Sequence, residues 1–114
     1  MATVPIVPGT ATVVLDGSGN GTAKVGPVGA REVWWPSSAS VSASSAIAEA
    51  ACRLYVGDAP IPANFRDGTL SGSTGDGTGR VTGPVGLGWF VWAVWTGGDP
   101  GAVATLNVAG SRTI

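Results

Sequence analysis

The chain has 114 residues, with six Lys or Arg, seven Asp or Glu, no His and one Cys. That length fits a single domain with a real core. The balanced charge leaves no basic face for nucleic acid, one Cys forms no intrachain disulfide, and without His the usual general base and metal ligand are missing.

Nineteen Gly and eight Pro are spread as turns between apolar runs, a pattern of many short strands. Residues 1–9 read as an extended arm, 10–110 as one β-sandwich domain and 111–114 as a polar tail. Residues 10–15 are β-branched and apolar, bounded by Pro8-Gly9 and the turn cluster 16–21. Residues 22–25 alternate polar with apolar, as a half-buried strand does, and Gly26-Pro27 ends them. A third strand over 31–35 is closed by Pro36, and 40–44 alternate as a fourth. Residues 46–51, Ala-Ile-Ala-Glu-Ala-Ala, read as a loop or single turn, because isolated short helices are marginal.

Residues 52–56 form a fifth strand, ended by Gly57-Asp58. Pro60-Ile61-Pro62 is extended, with too few N–H groups for a central strand. Residues 65–70 make a short edge strand, 80–82 match the strand at 22–25, 87–95 are the longest apolar run, and 102–108 close the domain. Such spacing predicts an all-β fold, an antiparallel β-sandwich or jelly roll of about eight strands.

One phrase occurs twice. Gly19-Asn-Gly-Thr-Ala-Lys-Val-Gly-Pro-Val-Gly29 recurs as Gly75-Asp-Gly-Thr-Gly-Arg-Val-Thr-Gly-Pro-Val-Gly86, with Thr82 inserted. A Trp-bearing run follows each copy, and the offset lays Trp35 on Trp92. Repetition at a fixed offset predicts two related halves.

In the run 87–95, Leu87, Trp89, Val91, Ala93 and Trp95 share one strand face, and Phe90, Trp92 and Val94 the other. A sandwich strand normally shows one face to water. Either the arm or the Pro60 loop covers the second face, or that face meets another subunit or a partner; we expect the partner. Trp34 and Trp35 point opposite ways, so at least two Trp lie away from the core unless covered. The candidate interface residues are Trp34, Trp89, Phe90, Trp92 and Trp95, with arm residues 3–8 reaching a neighbour. The same aromatic faces also suit stacking on a host glycan.

Asp16-Gly-Ser18-Gly-Asn20-Gly21 matches the opening of a calcium loop, but its twelfth place, which needs a bidentate Glu, is Pro27. We read it as a glycine-rich hairpin in which Asn20-Gly21, and Asp76-Gly77 in the second copy, supply positive φ. No glycine cluster has phosphate-loop spacing. Asn20-Gly21-Thr22 fits a glycosylation sequon, which needs a secretory route. Cys52, with no His to pair with, reads as a small buried hydrophobe. The carboxylates sit mostly in turns, so although paired acids cleave glycosides without His, no catalytic residue, metal or cofactor is expected. The N-terminus lacks the basic and apolar regions of a secretory signal. Nothing approaches about 18 uninterrupted apolar residues. We expect a soluble product with no membrane partner.

The phrase starting at Gly19, the following Trp34-Trp35-Pro36, Arg53-Leu-Tyr-Val-Gly-Asp58, and Trp92-Ala-Val-Trp95-Thr-Gly-Gly-Asp-Pro-Gly101 with its Ala/Thr/Val strand cover most of the chain. In these the sequence resembles small β-sandwich virion proteins, of head decoration or minor tail type, from tailed phages of actinobacteria. The resemblance implies a non-enzymatic structural part, made in the host cytoplasm and present in the virion in many copies. Its partners would be copies of itself and other virion proteins such as the major capsid protein. It supplies no catalytic or binding residues. Without heptads or collagen-like triplets the chain is a compact module and not a fibre shaft, which favours a capsid decoration or head-surface role. The alternative is a minor tail or fibre-associated module that binds host cell-surface glycans.

Overall fold

The alternation of apolar and polar residues becomes nine antiparallel strands in the computed structural model, which describes residues 3–6, 9–29, 31–71, 77–81 and 83–113. They are β1 (Thr3–Pro5), β2 (Thr10–Val14), β3 (Gly21–Val25), β4 (Val33–Ala43), β5 (Ala50–Gly57), β6 (Phe65–Ser71), β7 (Gly77–Gly79), β8 (Phe90–Thr96) and β9 (Val103–Thr113). A single 3-10 turn, Pro62–Asn64, precedes β6. The first sheet runs β1-β9-β4-β7, with β2 also on β9, and the second runs β3-β8-β5-β6. The expected all-β sandwich of two antiparallel sheets is the observed fold.

Between the sheets lies one core. Trp34, Val41, Leu106 and Val108 enter it from the first sheet, and Cys52, Leu54, Val91 and Trp95 from the second. Along β8 the burial alternates strictly, with Val91, Ala93 and Trp95 inward and Phe90, Trp92 and Val94 half-buried on the other face. That is the period-2 pattern of a strand with one side on a core.

The doubled phrase crosses between sheets. The strand of the first copy, β3, pairs with β8, whereas the strand of the second copy, β7, pairs with β4. Each Trp-bearing strand is therefore flanked by the phrase of the other half. Neither copy is a hairpin, contrary to the sequence expectation, because β2 and β6 lie in the opposite sheet from β3 and β7. In the first copy the positive φ falls on Gly19, at +76°, and not on Gly21. There Asp16 Oδ1 accepts the Ser18 and Asn20 N–H groups at 2.8 and 3.0 Å. Any Cβ on Gly19 would overlap the Gly98 carbonyl, whose own N–H donates to Gly19 O at 3.0 Å. Asp76 lies outside the described residues.

Four boundaries differ from the sequence reading. Residues 31–35 and 40–44 are not two strands: β4 is continuous across Pro36, with a bulge between Pro36 and Ser38. Proline is tolerated because β7 pairs only with Ala39, Ser40 and Val41, so no strand needs the missing Pro36 N–H. The strand expected at 80–82 is instead β7, since the Arg80 N–H turns away to Asp67 Oδ2 at 2.8 Å; Thr82 lies outside the described residues. Residues 87–89 form a turn, with the Trp89 N–H on Gly86 O at 3.0 Å, and β8 starts at Phe90. Finally, Pro62 leaves the extended path to open the 3-10 turn.

The N-terminal arm contains β1, which pairs with the far end of β9: Thr3 with Thr113, Val4 with Arg112 and Pro5 with Ser111. Residues 111–113 of the expected tail are thus the last of β9. Residues 46–48 are a loop, as expected, and Ala50 already starts β5.

Candidate functional site

Two exposed aromatic surfaces stand out, and they lie on different parts of the sandwich. The first is the outer face of the second sheet. There the register places Lys24, Trp92, Tyr55 and Phe65 in one row across all four strands. The Lys24 ammonium sits 4.4 Å from the Phe90 ring centroid and 5.0 Å from that of Trp92, a shared cation–π contact. Phe90 and Trp92 meet edge to face at 5.6 Å, and the Trp92 indole N–H donates to Gly57 O at 3.0 Å. These two rings are thereby largely occupied by the protein itself.

At the other end of the row one ring is open, Phe65, while Tyr55 beside it is buried at 8% exposure. Phe65, on the edge strand β6, is 45% exposed and stands edge-on to Tyr55 at 5.7 Å and 74°. With Arg53 and Pro62 they line a recess of about 350 Å³. Arg53 and Tyr55 share one face of β5 because they are two residues apart.

The second surface gathers where β4 begins. Val33, Pro84, Gly86, Leu87 and Trp89 line a shallow recess of about 310 Å³. Leu87 is 56% and Trp89 49% exposed. Trp35, on the same β4 face as Val33, is also exposed, and its indole N–H donates to Thr113 Oγ1 at 2.9 Å. The turn at 86–89 presents this patch by lifting Leu87 and Trp89 out of the strand.

The five expected interface residues therefore separate. Trp34 and Trp95 are fully buried, 0% exposed, and belong to the core, so neither offers a contact surface. The Trp34 indole N–H donates to Glu32 Oε1 at 2.5 Å, and Glu32 Oε2 accepts from Arg112 at 3.0 Å. Arg112 also donates to Pro5 O at 3.1 Å, tying β1 into the same buried cluster. Phe90 and Trp92 lie on the outer face of the second sheet, and Trp89 on the separate patch. The described strand of the arm, β1, does not cover the outer face of β8, since it pairs in the other sheet. Val33, Tyr55 and Phe65 were not singled out from the sequence, and Trp35 and Leu87, though placed on strand faces, were not among the candidate interface residues. The Pro60-Ile61-Pro62 segment before Phe65 was the one signal that this ring sits at an edge.

The carboxylates hold loops. Asp99 accepts three backbone N–H groups, from Ala46, Ile47 and Ala48, at 2.8–2.9 Å. Its own N–H donates to Ser45 Oγ at 2.9 Å, and Ser45 donates in turn to Ala48 O. Hydrogen bonds from backbone N–H groups hold Asp16, Asp67 and Asp99 below the usual carboxylate value, those of Asn20, Arg80 and Ile47 respectively contributing most. Burial pushes the Cys52 thiol up to about 12, so it is an inert packing group in this setting. Among the described residues no three His, Cys, Asp or Glu side chains gather as a metal site. No helix there is long and apolar enough to cross a membrane.

The chain matches no protein-family model, and no curated protein is significantly similar to it in sequence.

Proposed function

We propose that this chain is a non-enzymatic structural component of a tailed-phage virion, a capsid decoration or head-surface protein that works through protein–protein contacts. The observation that carries this reading is the exposed apolar patch of Val33, Pro84, Leu87 and Trp89, with Trp35 exposed on the same face of β4 as Val33. Contiguous apolar surface of this kind is costly in water and marks contact sites. Large aromatics contribute most of the energy when such a site is covered. The resemblance of the turn and strand phrases to small virion proteins supplies the setting: a virion part made in the host cytoplasm. Copies of itself and the major capsid protein are the partners this reading implies.

Immunogold imaging of intact particles with antibody to this chain tests the proposal. Label is expected over the head surface, and particles bearing the double variant Leu87→Asp, Trp89→Ser should lose it while the free protein stays folded. A particle without label, or full retention of the variant, would overturn the proposal.

A second reading, a tail- or fibre-associated module that binds host glycans, is favoured by the exposed Phe65 ring beside the buried Tyr55. An exposed aromatic face beside polar groups is what a sugar ring stacks upon.

A further inference from the structure

We infer that the recess between β5 and β6 takes an acidic saccharide, with the sugar ring on Phe65 and Pro62 and its carboxylate on Arg53. The inference rests on the glycan-binding reading and narrows it to one site and one ligand class.

The choice of site follows from which rings are free. Lys24 already lies over Phe90 and Trp92, and the Trp92 N–H is committed to Gly57 O. A sugar stacking there would have to displace a cation that the ring faces attract. Phe65 has no such cover. It is nearly half exposed, and its one ring neighbour among the described residues, Tyr55, meets it edge to face. Pro62 lines the recess with it and adds apolar surface. The axial C–H groups of a pyranose carry slight positive charge and suit the negative face of such a ring. At about 350 Å³ the recess is at the small end of ligand pockets, which run to about 300–1,000 Å³. That size suits a short saccharide segment.

The choice of ligand class follows from the polar groups. Arg53 is the one charged residue lining the recess, and it is exposed. Among the described residues nothing accepts a hydrogen bond from its guanidinium, in contrast to Arg112, which is paired with Glu32. Asp67, on the neighbouring strand, is turned to the Gly68 and Arg80 N–H groups and does not line the recess. The Tyr55 hydroxyl also has no hydrogen-bond partner among the described residues. The wall thus offers a planar fork of N–H donors, which fits a carboxylate through two parallel hydrogen bonds. The Tyr55 hydroxyl can donate to or accept from a sugar hydroxyl. A neutral sugar would use the apolar surface and leave the fork to water.

Titration calorimetry with tri-galacturonic acid and with its methyl ester, which keeps the rings and removes the charge, tests this. The acid should bind roughly three- to fivefold more tightly, the scale of one exposed ion pair. Arg53→Gln should erase that margin and leave ester binding intact, and Phe65→Ser should weaken both. Amide shifts on binding should centre on Arg53, Tyr55 and Phe65. Equal affinity for acid and ester, or a margin that survives Arg53→Gln, overturns the acidic assignment and leaves the glycan reading standing. Binding of neither saccharide overturns both. Should Phe65→Ser not fold, Arg53→Gln carries the test alone, because its side chain is exposed and unpaired.

Discussion

Asp99 illustrates how single side chains fix this chain's loops. Its two carboxylate oxygens take up the N–H groups of Ala46, Ile47 and Ala48, a segment that carries the fully presented Ile47 and has no ladder of its own. Backbone donors favour the charged carboxylate, so its pKa falls below the ordinary 3.8. Between the lowered folded value and the ordinary unfolded one, the unfolded chain binds the extra proton. Stability from Asp99 is therefore complete above the ordinary value and is lost as pH falls through the folded one. Asp16 and Asp67 act in the same direction. Thermal unfolding followed from about pH 5 to about pH 2 should show a falling midpoint. Asp99→Asn should lower the midpoint at neutral pH, because the amide nitrogen would face N–H donors, and should make the acid decline shallower. Parallel curves for the two proteins would remove Asp99 from this role.

At the scale of elements, β4 and its partner β9 show where local rules stop. Pro36 reads as a terminator because proline removes a ladder donor. The rule fails here for a reason no local window contains: β7 is too short to reach that position. On the β9 side the backbone passes Pro36 so closely that only glycine fits at 110. Its φ is +151°, and an added Cβ would stand 2.5 Å from Trp35 O and 2.8 Å from Pro36 Cα. Gly110→Ala should cost about 1–3 kcal/mol of stability. Gly86→Ala, with open space around it and no positive φ, should stay within about 0.5 kcal/mol. Denaturant unfolding of the pair checks this, and equal midpoints would mean that the bulge relaxes. The strands with clean alternation and glycine or proline borders, β2, β3, β5 and β6, were legible within a residue or two. The faces of β8 were legible too, because a period of two decides which side chains share a side. What covers a face is not a local property. Trp34 and Trp95 looked as available as Trp89, and only the packing of the two sheets against each other seals them in the shared core. Phe65 was overlooked because an edge ring beside prolines carries no periodic signal.

The molecule as a whole should unfold as one cooperative unit, because neither sheet is assembled from contiguous sequence. Among the described strands the chain changes sheets at every step except β1 to β2 and β5 to β6, and each phrase strand pairs with the Trp strand of the other half. Opening the second sheet alone would expose the core faces of both, Trp34 and Leu106 as well as Trp95 and Leu54. Burying each such side chain is worth about 1.5–3 kcal/mol, so partial opening loses most of the core without gaining the full entropy of unfolding. Cys52 reports on this directly. It is the single Cys, 1% exposed in β5 between β8 and β6. With its pKa raised to about 12 by burial, it presents almost no thiolate near neutral pH, and the thiolate is the reactive form. Iodoacetamide should leave the native thiol unmodified and label it only through global unfolding. In a denaturant series the labelling midpoint should coincide with that of Trp fluorescence, the test of a two-state transition. Labelling that precedes the fluorescence change would mean that the second sheet opens by itself, and the interlocked halves would not be what holds it shut.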